Sequence, residues 1–307
     1  MKKLIIFLVI ILVLLGLVFS VGRELKGKIV FRDIFKLTPL YVPPGTQQQP
    51  TNVPPNAGVV QTPKQDVPPK IQEPPKPVPP DGFSINDLSP YYKKAAITGV
   101  VRPSYSSPRR GQFTIRFSGT NEESVDVTGW KVRGNRGGEV YIPQASEDFG
   151  ISGWTPNGNI VLRNGNYVTV YSAKGPIEKN FRLNKCIGYL NNTYSFNPKL
   201  PTSCPSFDRK EIITFSGACQ NFLGRMGGCK EPTAAEKNMF TGPADTACRA
   251  FLDTLNYGGC YRAHRSDKDF FSNEWRVWLN AEMFFDTEHD RLILYDKNGK
   301  VVNEYIY

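Results

Sequence analysis

The 307-residue chain contains only two histidines, His264 and His289, and no HxxH or HExxH spacing surrounds them. A zinc-protease helix is therefore excluded. There is no GxSxG elbow and no glycine-rich loop of P-loop or dinucleotide type, which removes the common hydrolase, NTPase and Rossmann signatures. Cysteine is absent before residue 186, and none of the six cysteines forms a CxxC pair, so zinc-ribbon spacing is missing too. After the N-terminal apolar block no second long apolar run follows, which excludes a polytopic membrane protein. Charge is also sparse where it would matter. Residues 1–83 hold ten Lys/Arg and five Asp/Glu, and residues 84–307 hold 28 and 23, so the net +10 divides evenly. An excess of five over the larger part is too weak to mark a nucleic-acid stripe or a DNA packager. Hydrophobic residues at 40% and aromatics at 12% exclude a wholly disordered chain. At ~150 residues per domain, the length allows one large domain or two smaller ones.

Residues 4–22 form a stretch without charge, preceded by Lys2 and Lys3. At ~1.5 Å per residue such a helix is about 28 Å long, close to the ~30 Å hydrocarbon core. We expect residues 1–22 to be an uncleaved transmembrane signal-anchor; the alternative is a cleaved signal peptide ending near Val18-Phe19-Ser20. Flanking charge alone, with Arg23, Lys26, Lys28, Arg32 and Lys36 on the far side, would allow the C-terminus to face the cytoplasm. The even cysteine count argues the other way. Long domains translocate largely regardless of flanking charge, and the folded part is expected outside the cytoplasm, on a single-pass cell-membrane protein.

Residues 23–83 read as a juxtamembrane and proline-rich linker. Between Leu37 and Pro80 there are 14 prolines in 44 residues. Paired prolines such as Pro43-Pro44 and Pro68-Pro69 remove backbone donors and force extended geometry, so this stretch is expected to be a disordered, stiff spacer. At ~3.1 Å per residue it could reach about 130 Å when extended.

Residues 84–307 change character. Short β patterns recur at Ala95–Val101, Gln112–Phe117, Ser124–Val127, Glu139–Ile142 and Asn166–Tyr171. Phe113, Ile115 and Phe117 alternate with Thr114 and Arg116, the signature of a half-buried strand. Arg291–Tyr295 and Val301–Tyr307 flank Asp296-Lys297-Asn298-Gly299, where Asn-Gly supplies the positive-φ positions of a hairpin. The pattern argues a mainly β fold, an antiparallel sandwich.

The segments SVDVTGWKV, EVYIP, NYVTVY and the closing DRLILYDKNGKVVNEYIY fall in the order of a lamin-tail domain, and the chain resembles that family over about residues 95–171 and 291–307. The resemblance implies an immunoglobulin-like β-sandwich with Trp130 in its core. It also points to variants found in membrane-anchored bacterial surface proteins, and so to location more than to activity. The departure is a long insertion, taken as helical over residues 180–272, rejoining the sandwich through the buried aromatics Phe270, Phe271, Trp275 and Trp278.

All six cysteines lie in that insertion. Cys219–Met226 and Ala244–Leu255 read as two short helices, ended by Gly227-Gly228 and Gly258-Gly259. If they pack antiparallel, a nested pairing follows: Cys219 with Cys260, Cys229 with Cys248, and a local bridge between Cys186 and Cys204. Six cysteines allow 15 connectivities, so this is one arrangement among several. Cys260 and His264 would be the nearest start of a metal site, but the spacing is not that of zinc, and neither metal nor cofactor is expected.

Glu288-His289-Asp290 reads as a charged turn rather than a catalytic cluster, and Asp296–Gly299 as a turn rather than a calcium loop. Asn191-Asn192-Thr193 fits a glycosylation sequon. Two basic groups, Arg109 and Arg110 on one loop and Lys131, Arg133 and Arg136 on another, are candidate binding residues. The expected function is binding or scaffolding at the cell envelope, with protein or an envelope polymer as partner and no catalysis. A nucleic-acid-binding lamin-tail domain and a hydrolase using His264 or His289 are the alternatives.

Overall fold

The computed structural model describes residues 77–307 except Pro108, Arg109 and Trp154. The expected anchor over residues 1–22, most of the linker, and the candidate Arg109 lie outside the described residues. Among the described residues, no helix is long and apolar enough to cross a membrane.

Eleven strands dominate: β1 (Ala95–Val101), β2 (Gln112–Phe117), β3 (Ser124–Asp126), β4 (Lys131–Arg133), β5 (Glu139–Tyr141), β6 (Val161–Arg163), β7 (Tyr167–Tyr171), β8 (Phe181–Asn184), β9 (Phe271–Trp278), β10 (Arg291–Tyr295) and β11 (Val301–Ile306). They form a five-stranded sheet ordered β1-β2-β7-β9-β8, a four-stranded sheet ordered β11-β10-β4-β5, and the pair β3-β6. Their inward residues meet in one core. Phe113, Ile115 and Phe117 of β2, Val168 and Val170 of β7, and Trp275 and Val277 of β9 face Val132, Leu292, Leu294 and Val302 of the second sheet. Trp130 is 1% exposed in the same core, where Tyr91 packs against it at 5.8 Å between ring centroids. Each fully buried aliphatic or aromatic side chain contributes about 1.5–3 kcal/mol here. The fold is mainly β, as the alternation in β2 anticipated.

The sheet is not wholly antiparallel. β9 runs parallel to β7, with Val168 opposite Trp275 and Val170 opposite Val277, and antiparallel to β8 on its other side. Parallel neighbours need a crossover connection of a dozen or more residues. The insertion is that crossover. Its first residues form β8 and its last open β9, so the stretch 180–272 is not simply helical; both of its ends belong to the five-stranded sheet.

The linker boundary also moves. Val78 O accepts from Tyr92 Oη at 2.8 Å, Asp81 O accepts from Arg291 Nη2 at 2.6 Å, and the Phe83 ring lies 6.3 Å from Tyr295. Tyr295 and Arg291 alternate with the core residues Leu292 and Leu294, so Asp81 and Phe83 contact the outer face of the second sheet and Val78 is held by Tyr92, instead of belonging to a free spacer.

Within the crossover lie five short helices: α1 (Arg209–Ile212), α2 (Gly217–Leu223), α3 (Ala234–Lys237), α4 (Thr246–Leu252) and α5 (Tyr257–His264). Asp208, Ser216, Thr233 and Asn256 cap α1, α2, α3 and α5 by accepting from backbone N–H groups of the first turn. The buried residues divide into two further clusters. One joins Tyr171, Phe181 and Trp278 of the sheet to Cys186, Tyr189, Tyr257, Cys260, Tyr261 and Phe270. The other is built by α1, α2 and α4 from Ile212, Cys219, Leu223, Cys248 and Leu252, with Phe240 from the loop after α3. In α2 and α4 the buried pair is Cys and Leu at i, i+4, one stripe per helix.

Candidate functional site

Every cysteine is in a disulfide, but not in the nested arrangement. The bridges are Cys186–Cys260, Cys204–Cys229 and Cys219–Cys248. The helix pair does form a bridge, the one between Cys219 and Cys248. The expectation fails at Gly258-Gly259, which open a helix rather than end one. Asn256 Oδ1 accepts from Gly259 N at 2.9 Å and so starts α5 there, and Cys260 within α5 faces the aromatic cluster and reaches Cys186. Cys229 is left beside Cys204. With its sulfur bonded, Cys260 offers no thiolate to a metal site with His264. Among the described residues no group of three or more His, Cys, Asp and Glu side chains is placed to hold a metal ion.

Between the two smaller cores lies a cleft of about 1130 Å³. Leu223, Met226, Phe251, Leu255 and Phe207 bound it on the side of the α1/α2/α4 core, where Phe207 and Phe251 meet edge to face at 5.5 Å. Tyr189, Cys229 and Cys260 bound it on the side of the aromatic core. Its ionic groups come from different segments. Asp208 and Glu211 come from the start of α1, whereas Lys230 follows Cys229, and Arg262 and His264 come from the last turn of α5. Asp208 Oδ1 accepts from Lys210 N, Lys230 Nζ pairs with Glu236 at 3.2 Å, and His264 Nδ1 lies 3.0 Å from Asp267 Oδ2. The side chains of Glu211 and Arg262 enter no hydrogen bond or ion pair among the described residues. The lining also includes Gly227 and Gly228, whose N–H groups have no acceptor within the described residues; a Cβ on Gly227 would meet nothing within 4 Å.

The two basic groups expected to bind are dispersed. Lys131 and Arg133 alternate with buried Val132, so both point out from the second sheet. Lys131 pairs with Glu139 at 3.2 Å and sits 5.8 Å and 5.5 Å from the Tyr141 and Tyr295 rings. Arg136 instead pairs with Asp286, on the loop before β10. Arg110 is exposed on the β1–β2 loop, as is Tyr105.

The Glu288-His289-Asp290 turn is an acceptor site for backbone. Asp290 is 3% exposed; its Oδ1 accepts from Asn135 N at 2.9 Å and Arg291 N at 2.7 Å, and its Oδ2 from Asp286 N at 3.1 Å. Hydrogen bonds from the Glu288 and His289 amides, with the charge of Arg136, hold the Asp286 carboxyl below the usual carboxylate range. Asp296 Oδ1 likewise accepts from Asn298 N and Lys300 N, and Gly299 has φ +76°, which makes Asp296–Gly299 a hairpin turn. Asn191 spends its amide on Leu200, donating from Nδ2 to the carbonyl at 2.9 Å and accepting from the N–H at 3.1 Å, so its sequon nitrogen is engaged.

The cleft is the feature that sequence reading missed. Its residues are scattered over the 76 positions from Tyr189 to His264, and Cys204, Cys229 and Cys260 in its lining are all disulfide-bonded. A scan against protein-family models found no match to this chain, and neither did a search of curated proteins.

Proposed function

We propose that the chain is a membrane-anchored module of the cell envelope, with its folded region outside the cytoplasm, working by binding or scaffolding and not by catalysis. One observation carries this reading: all six cysteines are paired, leaving no free thiol. Disulfides of this density persist in oxidising compartments and are rare in the cytosol. The uncharged residues 4–22 supply the single membrane span and the proline-rich stretch supplies the spacer. The strands over 95–171 and 291–307 are read as a lamin-tail-like, immunoglobulin-like sandwich, a reading supported by the shared core between two sheets and by buried Trp130. The partner is a protein or envelope polymer received in the cleft. Nucleic acid is not part of this reading, because Lys131 and Arg136 are neutralised by Glu139 and Asp286.

The test is thiol status and accessibility in intact cells. A membrane-impermeant protease and an alkylating reagent, applied with and without reduction, should find three bridges on a cleavable domain. Six free thiols on a protected domain would overturn the reading.

A further inference from the structure

The cleft's chemistry narrows its partner, and this step rests on the binding reading above. We propose that it receives a short apolar peptide with free termini, its ammonium end toward Asp208 and Glu211 and its carboxylate end toward Arg262. Three observations meet in this assignment. The first is charge: the carboxylates of Asp208 and Glu211, from the start of α1, and the side chains of Lys230 and Arg262 border the same cleft. Glu211 and Arg262 are the members without an internal partner, hence those with charge left to offer. The second is the floor. Leu223, Met226, Phe251 and Leu255 give the α1/α2/α4 side of the cleft an apolar surface, suited to aliphatic or aromatic side chains. The volume, about 1130 Å³, lies at the upper end of small-molecule sites and exceeds what one amino acid needs. The third is the backbone at Gly227-Gly228. Two successive N–H groups without acceptors, one of them on a residue with open space above it, suit the carbonyl oxygens of a peptide main chain. A neutral glycan would leave both charges unmatched.

The full-length oxidised protein in lipid nanodiscs would be titrated calorimetrically with leucyl-phenylalanyl-leucine, against empty nanodiscs. Saturable binding is expected, weakened about tenfold or more when the peptide is both N-acetylated and C-amidated, since each end makes a charge-assisted contact. Arg262→Ala and Glu211→Gln, both at exposed positions, should each weaken the free peptide by a similar factor and leave the blocked peptide's weak binding unchanged. Equal binding of free and blocked peptides, indifference to both substitutions, or no saturable heat would overturn the assignment. Because this assay is done on purified protein, its failure is separate from a failure of the topology experiment: a chain with reduced thiols in cells defeats the envelope reading, and a null titration defeats only the peptide.

Discussion

Cys186 and Cys260 are bonded across 74 residues of sequence, with their Cα atoms 5.7 Å apart. Cys186 lies two residues past the end of β8 and Cys260 lies in α5, so this bridge clamps the end of the crossover beside the strand where it begins. The Cys219–Cys248 bridge stands apart, enclosed in the small α1/α2/α4 core with both cysteines fully buried. The two bridges should therefore protect different parts of the molecule.

Replacing Cys219 and Cys248 together by alanine should loosen the small helical core and spare the sheets. A bridge of this loop length is worth about 2–4 kcal/mol, mostly through the unfolded chain. Limited proteolysis, mapped by mass spectrometry, should place new cuts between residues 207 and 256. Cuts spread equally through β1 to β7 would show that the helical core is not a separate unit.

Gly259 is required by space. A Cβ there would sit 1.9 Å from Thr254 O, whereas at the neighbouring Gly258 the nearest atoms lie at 3.3 Å. Gly259→Ala should cost about 1–3 kcal/mol by forcing the turn before α5 apart. Gly258→Ala should be close to neutral, since alanine favours the helix. Denaturant unfolding of the two variants side by side decides it; equal effects would contradict the close approach.

Removing the Asp290 carboxylate leaves three N–H groups, of Asn135, Arg291 and Asp286, without their acceptor. At about 1–3 kcal/mol for the buried Asp286 donor, and less for the Asn135 and Arg291 amides that water can reach, Asp290→Ala should lower stability by roughly 2–3 kcal/mol. In a domain of this size that is a fall in Tm of roughly 5–10 °C. Asp290→Asn keeps one acceptor oxygen and should lose less.

Alkaline pH should weaken the fold through tyrosine. Loss of solvent, reinforced by the Asp290 charge, pushes the Tyr307 hydroxyl up to about 12, and burial pushes Tyr257 higher still. An unfolded tyrosine titrates near ~10. The folded state thus holds its proton longer, so the stabilisation is complete below ~10 and is lost as pH rises through about 12. Near-ultraviolet absorbance titration should show these late-ionising groups, and Tyr307→Phe should remove one of them and flatten part of the alkaline fall in stability.

The alternating apolar residues of β2 and the Asn-Gly reversal between β10 and β11 were legible because local pattern and burial coincide there. β8 and β9 were not read as sheet strands. β8 is four residues long and buried throughout, and β9 carries Arg276 and Glu274, which pair with each other at 2.6 Å. Arg276 Nη1 also donates to Pro198 O and Lys199 O, so a charge that looks solvent-bound in sequence is spent inside the fold. Gly258-Gly259 misled for a related reason: glycine marks helix ends by its freedom, but here it answers a contact with Thr254 that no local pattern announces. The cysteine types were readable and their partners were not, because pairing depends on which core each helix faces.

The position of β9 has a consequence for how the chain matures. β7 ends at Tyr171 and its neighbour on that side, β9, begins only at Phe271, about 100 residues later. In a polypeptide appearing from its N-terminus, β1, β2 and β7 can zip together early, yet the far edge of β7 must wait, its amides and carbonyls unmatched, until the whole crossover has emerged. Such an edge is a template for the wrong partner. The vulnerable interval in this protein's life is that wait, and variants that slow the oxidation or folding of the crossover should be lost to aggregation from a half-built sheet whose own sequence is intact.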